Sequence, residues 1–524
     1  MDAKRAKMQL VPPPVAKVTP TNDLKDERAD CVVFVSDFAT PSGLDAVDKA
    51  VADADAIDKS ATSQFAVVPS AGVAGGRMVL SNTGPVTRDY DDVRRYSDAA
   101  QKGVKRALAA GARKPLLVVH YTAKGALQDL FANHIAVAVT GALAQCYVPL
   151  EVREDKTAPT WSATTAEELF VYSLDANTAA TVAAIEAARS VSRDLCGGDP
   201  ERMAPPKFAA YVQELFAGSN VKVTVKEKDD FSDEYPLLEA VARCSRVVER
   251  HHPRVVNLEY TGEGPIEKTL FFVGKGITYD TGGADIKAGG IMAGMHRDKG
   301  GASSVAGFLY LVSLLKPKNI RVVGKLAVVR NSVGADAYVA DEIIHSRAGV
   351  RVRVGNTDAE GRMVMADVLC EAKEEALHAP SPHIFTMATL TGHAVRAYGD
   401  GYFAAMDNGP ARAANIASTI AQKGLEWGDP AEISTVRRED FSFVKKTYLT
   451  EDVLQANNAA STNTARGHQY PAAFLTIASG LDKHGINSDQ PLPYTHLDIA
   501  GSTKMWPTPV SGSPIPALAA TFLM

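Results

Sequence analysis

The sequence predicts an α/β protein with a smaller N-terminal α/β domain and a larger C-terminal α/β domain, whose central mixed sheet is flanked by helices. Three observations carry that prediction. Short β-branched runs alternate with helix-length segments along most of the chain. Several of those runs, such as KTLFFVG at 268–274, are nearly all apolar, as strands covered on both faces are. The 524 residues also exceed what one hydrophobic core usually organises.

In order along the chain, residues 1–30 combine early lysines, prolines at 12–14 and mixed charge with no apolar core, and are expected to be a flexible tail rather than a signal peptide. The domain at 31–175 follows. CVVFVSDF (31–38), QFAVVPS (64–70) and KPLLVVHY (114–121) read as strands, and 91–110 and 123–146 as helices. The polar stretch 152–165 reads as a connection. A linker helix at 176–200 ends at Gly197-Gly198-Asp199-Pro200. The larger domain at 201–524 opens with a helix at 207–216, a strand at 221–227 and a helical stretch at 236–249. Its strand series continues through 254–260, 268–274, 320–329, VRVRV (350–354), HIFTMATL (383–390) and YTHLDIA (494–500).

Composition excludes several classes of function. The net charge of −5 offers no basic field to nucleic acid or an anionic membrane. Five scattered cysteines with no CxxC pair argue against a disulfide framework or a thiolate zinc site, and for a reducing, cytoplasmic setting. The longest apolar run, 136–146, is too short to span a bilayer. None of the twelve histidines has HExxH spacing, and no GxxxxGK[ST] or completed GxGxxG occurs.

The chemistry concentrates in three segments. The apolar strand at 268–274 runs into a glycine-rich turn with Lys275, Asp280 and Lys287. Asp298 stands just ahead of an apolar helix, where its charge suits the helix dipole. In NTDAEGR, 356–362, an extended backbone would put Asp358, Glu360 and Arg362 on one face. Each acid alone has a bland reading as a solvated loop charge. Together, four carboxylates and at most one nitrogen ligand suit two divalent ions that activate a water and polarise a carbonyl.

At these residues the sequence resembles the leucine aminopeptidase family. NTDAEGR (356–362) carries the likeness most specifically, with VGKGITYDTGG (273–283), the DxGGA around Asp298, ATLTG (388–392) and HLDIAG (496–501) in order. The resemblance implies a peptidase acting on N-terminal residues, with two divalent metal ions per subunit, Zn or Mn and also Co or Mg. The first ion takes Lys275 (as a neutral amine), Asp280, Asp298 and Glu360. The second takes Asp280, Asp358 and Glu360. Lys287 holds the scissile carbonyl oxygen, and Arg362 holds a bicarbonate that acts as general base. Met295, Thr389, Gly392 and Ala500, with Thr503 at the rim, line the first side-chain pocket, and backbone groups at Leu390 orient the substrate. A homohexamer with peptide substrates is implied, without nucleic-acid or membrane partners. Two departures bear on specificity: Lys299 stands where the family usually has methionine, and 330–342 differs from the family's loop. The competing reading is a family member retained for binding after catalysis is lost.

Overall fold

Buried β-branched strands build two main sheets, one in each of two units of the chain. The computed structural model describes residues 10–122, 129–155, 165–445 and 448–524. The first unit is Met1–Ser190 with Lys423–Asp429, and the second is Val191–Gln422 with Pro430–Met524. The unit boundary falls inside the helix Ala176–Gly197, the element expected as a linker.

In the first unit β1 (Lys17–Thr21), β2 (Cys31–Ser36), β3 (Val67–Pro69), β4 (Arg77–Asn82), β5 (Pro115–Val119) and β6 (Glu168–Tyr172) form one sheet in the order β1-β6-β5-β2-β4-β3. Only the β3–β4 pairing is antiparallel. Period-two alternation fills both faces: Cys31, Val33 and Val35 join one core cluster, and Val32 and Phe34 the other. β1 corrects the expectation of a tail over 1–30. It pairs in parallel with β6 at the sheet edge, where the missing N–H of Pro20 is tolerated and Lys17 meets Glu168 at 2.8 Å. An edge strand borrows its order from its neighbour, so its own sequence need not be apolar. The helix expected at 123–146 is seen as His134–Ala144, and 123–128 lie outside the described residues. So do 156–164 of the expected connection. The segment Lys423–Asp429, expected in the catalytic domain, brings Trp427 against the first unit's core.

The second unit contains β7 (Val221–Lys226), β8 (Arg254–Thr261), β9 (Lys268–Asp280), β10 (Ile320–Asn331), β11 (Ile343–His345), β12 (Arg351–Arg353), β13 (Pro382–Ala388), β14 (Phe403–Asp407), β15 (Ala431–Ile433), β16 (Val453–Leu454) and β17 (Tyr494–Asp498). Eight of them form a mixed sheet in the order β15-β14-β17-β13-β9-β10-β8-β7. Its middle four strands, β17-β13-β9-β10, are parallel. β11, β12 and β16 make a small separate sheet. VRVRV therefore lies outside the central sheet: Arg351 and Arg353 pair with Asp452 and Glu451, charges that a doubly covered strand could not carry.

Helices cover both faces of the parallel strands. Phe272 of β9 lies 5.0 Å from Phe308 of the helix Gly300–Leu315. Phe271 and Val273 share a core cluster with the helix Glu360–Ala376. The helix Gly300–Leu315 can come this close because Gly301 has no side chain. A Cβ there would sit 1.9 Å from the Met387 carbonyl oxygen of β13. Backbone of a central strand cannot move aside cheaply. Gly301→Ala is therefore expected to lower unfolding stability by about 1–3 kcal/mol or more, read as an earlier midpoint in chemical denaturation. An unchanged midpoint would show that the sheet yields there.

Candidate metal centre

The four parallel strands end on the same side of the sheet, and their carboxyl ends deliver the chemistry, as expected where strand order switches in an α/β sheet. β9 supplies Lys275 and, at its end, Asp280. β10 supplies Asn331, β13 leads into Thr389, Leu390 and Thr391, and β17 ends at Asp498. Lys275 has the odd-numbered parity of Phe271 and Val273, which faces the helix Glu360–Ala376. Asp280 would face the other way, but the register against β10 advances from Ile277↔Val329 to Asp280↔Asn331. That bulge adds one residue to β9 and re-aims Asp280.

The predicted residues converge. Lys275 Nζ lies 2.8 Å from Asp298 Oδ2 and 3.0 Å from Glu360 Oε1, and donates to the Thr389 carbonyl at 3.0 Å. Lys287 Nζ lies 2.8 Å from Asp280 Oδ2 and also pairs with Asp358. One carboxylate oxygen each from Asp280, Asp358 and Glu360 lies within 4.8 Å of the others. Lys275, Asp280, Asp298 and Glu360 are buried, and Lys287 and Asp358 are partly exposed.

The segment 356–362 is not extended, which corrects the reasoning from period two. Thr357–Ala359 form a 3₁₀ turn and the helix begins at Glu360. Asn356 caps the turn, its side-chain oxygen accepting from Asp358 N at 2.8 Å. Thr357 fastens the glycine-rich loop: its N–H donates to Asp285 Oδ2 at 2.7 Å and its hydroxyl to the Gly282 carbonyl at 2.7 Å. Glu360 sits in the first helical turn, where the dipole favours a carboxylate. At Gly361 a Cβ would lie 2.4 Å from Lys275 Cε and 2.6 Å from Nζ, so glycine makes room for the lysine.

Electrostatics shows what the cluster lacks. Burial pushes Asp298 well above the usual carboxylate range, against the pull of Lys275. Burial and the neighbouring Asp280 push Asp358 up to about 7, with Lys287 opposing. Burial works against both ammonium groups, but the surrounding carboxylates outweigh it and hold Lys275 and Lys287 above their ordinary value. Glu360 Oε2 is buried with no partner. Asp298 Oδ2 and Asp358 Oδ1 likewise accept no hydrogen bond of good geometry, although each has a lysine at ion-pair distance. Buried acceptors lacking a well-formed hydrogen bond, on three of four clustered acids beside two amines, fit divalent cations.

Arg362, two residues into the helix, donates to the Gln455 carbonyl at 2.9 Å and its Cζ lies 4.9 Å from the Tyr470 ring centroid. Its buried Nε has no protein partner, which fits a small anion. The pocket residues also gather near the acids. Thr389 Oγ1 donates to Asp298 Oδ1 at 3.0 Å, and a Cβ on Gly300 would lie 2.8 Å from Thr389 Cγ2 and 3.2 Å from Thr503 Oγ1. Gly392 opens the helix Gly392–Tyr398, and Met295 starts the 3₁₀ turn leading to Asp298. The backbone N–H groups of Leu390 and Ala500 both donate to Asp498 Oδ1, at 3.3 and 3.2 Å, so the Leu390 N–H is already engaged.

Four supporting residues had gone unassigned. Asp498 is buried, pushed by burial to about 6 with the Thr391 hydroxyl opposing, and ties 389–391 to 500. It lay within HLDIAG, which was the available signal. Asn331 donates to Asp280 Oδ1 at 2.9 Å and to the Thr357 carbonyl at 3.1 Å. Gln455 accepts from Gly355 N and Asn356 N, and donates to the carbonyls of Asn356 and Ala359. Asp285 receives Thr357. For Asn331, Gln455 and Asp285 no motif announced the role. The departing residues also find places. The Lys299 ammonium is buried and donates to the carbonyls of Gly198, at 2.9 Å, and His296. In 330–342, Tyr338 donates to the Thr357 carbonyl at 2.8 Å.

Known proteins share this arrangement of chain. "Putative aminopeptidase W07G4.4" of Caenorhabditis elegans is 43% identical over 518 residues, 97% of this chain and 98% of that one. "Probable cytosol aminopeptidase" of Persephonella marina is 32% identical over 344 residues, 64% of this chain and 63% of that one. Among solved structures, the bottromycin maturation enzyme BotP in complex with Mn superposes with a TM-score of 0.73 at 23% identity, over 94% of this chain and 98% of that one, a likeness of fold. The description "Cytosol aminopeptidase family, catalytic domain" matches residues 190–519, the stretch that holds every residue of the metal centre, and the chain belongs to that family.

Proposed function

We propose that this chain removes N-terminal residues from peptides, Leu and other apolar residues preferred, as a leucyl-type aminopeptidase with two divalent ions. The observation that supports this best is the convergence of Lys275, Asp280, Asp298, Asp358 and Glu360 around buried carboxylate oxygens that lack a well-formed hydrogen bond. Lys275, Asp280, Asp298 and Glu360 would hold one ion, and Asp280, Asp358 and Glu360 the other. Zn or Mn suits this donor set, with Co or Mg also accommodated. Bound there, the ions supply Lewis acidity and a lowered pKa for water.

The chain's own groups do the rest. Lys275 must lose its ammonium proton to serve as a ligand, and a dication beside it makes the charged form repulsive. Lys287 keeps its charge and donates to the scissile carbonyl oxygen as negative charge develops there. Arg362 would hold bicarbonate, which supplies a base. The carbonyl of Leu390 and the pocket of Met295, Thr389, Gly392 and Ala500 set the substrate's first residue. Residues this small or apolar suit an aliphatic side chain. The setting proposed is cytoplasmic: among the described residues no helix is long and apolar enough to cross a membrane.

Exhaustive chelation is expected to abolish turnover of Leu-amide, and Mn or Zn to restore it. Full turnover at a metal content near zero would sink the two-ion reading. Lys287→Ala is expected to keep its metal while kcat drops about 10²–10³-fold, the usual loss for one preorganised donor at an oxyanion. Gly361→Ala acts through Lys275, and because the clash falls on the flexible end of that side chain, metal affinity should drop while the fold persists. Normal kcat in the first variant with normal metal content in the second contradicts the assigned roles. A homohexamer is also proposed, and sedimentation of a fully active monomer of 55.7 kDa would refute it.

A further inference from the structure

Two loops leave the metal centre side by side and meet again farther out. Near the acids, Gly300 lies between Thr389 and Thr503, and Thr389 touches Asp298. Farther along, Arg297 Nη1 donates to the Lys504 carbonyl at 2.9 Å, and a Cβ on Gly294 would stand 3.3 Å from Trp506 Cβ. A wall thus runs from Asp298 past Thr503 and Met295 to Trp506. At its outer end the side chains are large, apolar and open to water: Trp506 is 59% exposed and Met505 52%. The neighbouring cation, Lys504, is engaged with the Asp400 carbonyl at 3.3 Å and its carboxylate at 3.7 Å. Tryptophan is on average a highly buried residue, and apolar groups left open beside a site mark a binding surface.

We propose that Trp506, with Met505, forms an outer lip of the first side-chain pocket and extends its apolar preference to large aromatic N-terminal residues. The proposal rests on the aminopeptidase reading given above. The inner wall of glycine, alanine and threonine is filled by a short side chain. A ring laid along the same wall reaches the indole, whose flat face rewards apolar area and edge-to-face contact without demanding a hydrogen bond.

The test compares wild type, Trp506→Ala and Trp506→Phe, each metal-loaded, on Phe-, Trp-, Leu- and Ala-amide. The ratio of kcat/KM for Phe-amide over Ala-amide should fall roughly tenfold in Trp506→Ala, mostly through KM, and largely recover in Trp506→Phe. Free Phe should shift indole emission to the blue in wild type and not in Trp506→Phe. An unchanged ratio, an equal loss on all four amides, or a change of sedimentation on Trp506→Ala that places the lip at a subunit contact overturns the inference alone. A wild-type holoenzyme idle on every amide overturns the aminopeptidase reading and this inference with it.

Discussion

Asp280, Asp298, Asp358 and Glu360 crowd four carboxylates into one cluster, and their mutual repulsion is the constraint on which the surrounding structure depends. At 4 Å and an effective dielectric constant near 20, two like charges repel by about 4 kcal/mol. A typical hydrogen bond contributes only about 1 kcal/mol net. No acid here could be held by hydrogen bonds alone, so counter-charge must enter. Two lysines provide part of it, each set between two acids. Two ammonium groups against four carboxylates leave negative charge uncompensated, which is the demand that divalent cations meet.

Holding the acids together also requires a backbone that cannot relax away from the strain. The bulge between β9 and β10 turns Asp280 toward the side Lys275 already faces. Asn331 then fixes Asp280 and the Thr357 carbonyl with one amide group, so the two acid-bearing loops cannot part. Thr357 and Asp285 repeat that tie from the other direction, and Gln455 closes over the turn before Glu360 while its carbonyl accepts from Arg362. Asp498 does for the 389–391 loop what Asn331 does for Asp280. Gln455 and Asp498 are fully buried polar groups bonded to several partners, the condition under which such networks rigidify a site.

What could be read beforehand follows from how local each signal is. The apolar run at 268–274 and the helix after Asp298 are written in adjacent residues, and both appear where expected. NTDAEGR was legible as a unit of chemistry but its backbone was not, because its 3₁₀ turn depends on the Asn356 cap and on Gln455, about a hundred residues away. β1 was missed for a similar reason: an edge strand of KVTPT gains its order from β6, not from its own composition. Gly361 stood in plain view, but its reason, the space for Lys275, exists only once strand and helix have met. The bulge in β9 has no sequence signature at all, since one extra residue among thirteen is invisible until the neighbouring strand sets the register.

The same division separates what the site must keep from what it can vary. Lys299 directly follows Asp298 in the chain, but its ammonium is spent on two backbone carbonyls. A substitution that would trouble the charge balance if it faced the acids is thereby made structural. The 330–342 loop departs in sequence yet still delivers Tyr338 to the Thr357 carbonyl. In both places the departing residues bond to backbone carbonyls rather than to the carboxylates. At the inner end of the wall from Asp298 to Trp506, Thr389 is bound to Asp298, while at the outer end Trp506 and Met505 are more than half open to solvent. On the proposed reading, selectivity for the substrate's first residue can be altered at the lip without disturbing the charged cluster.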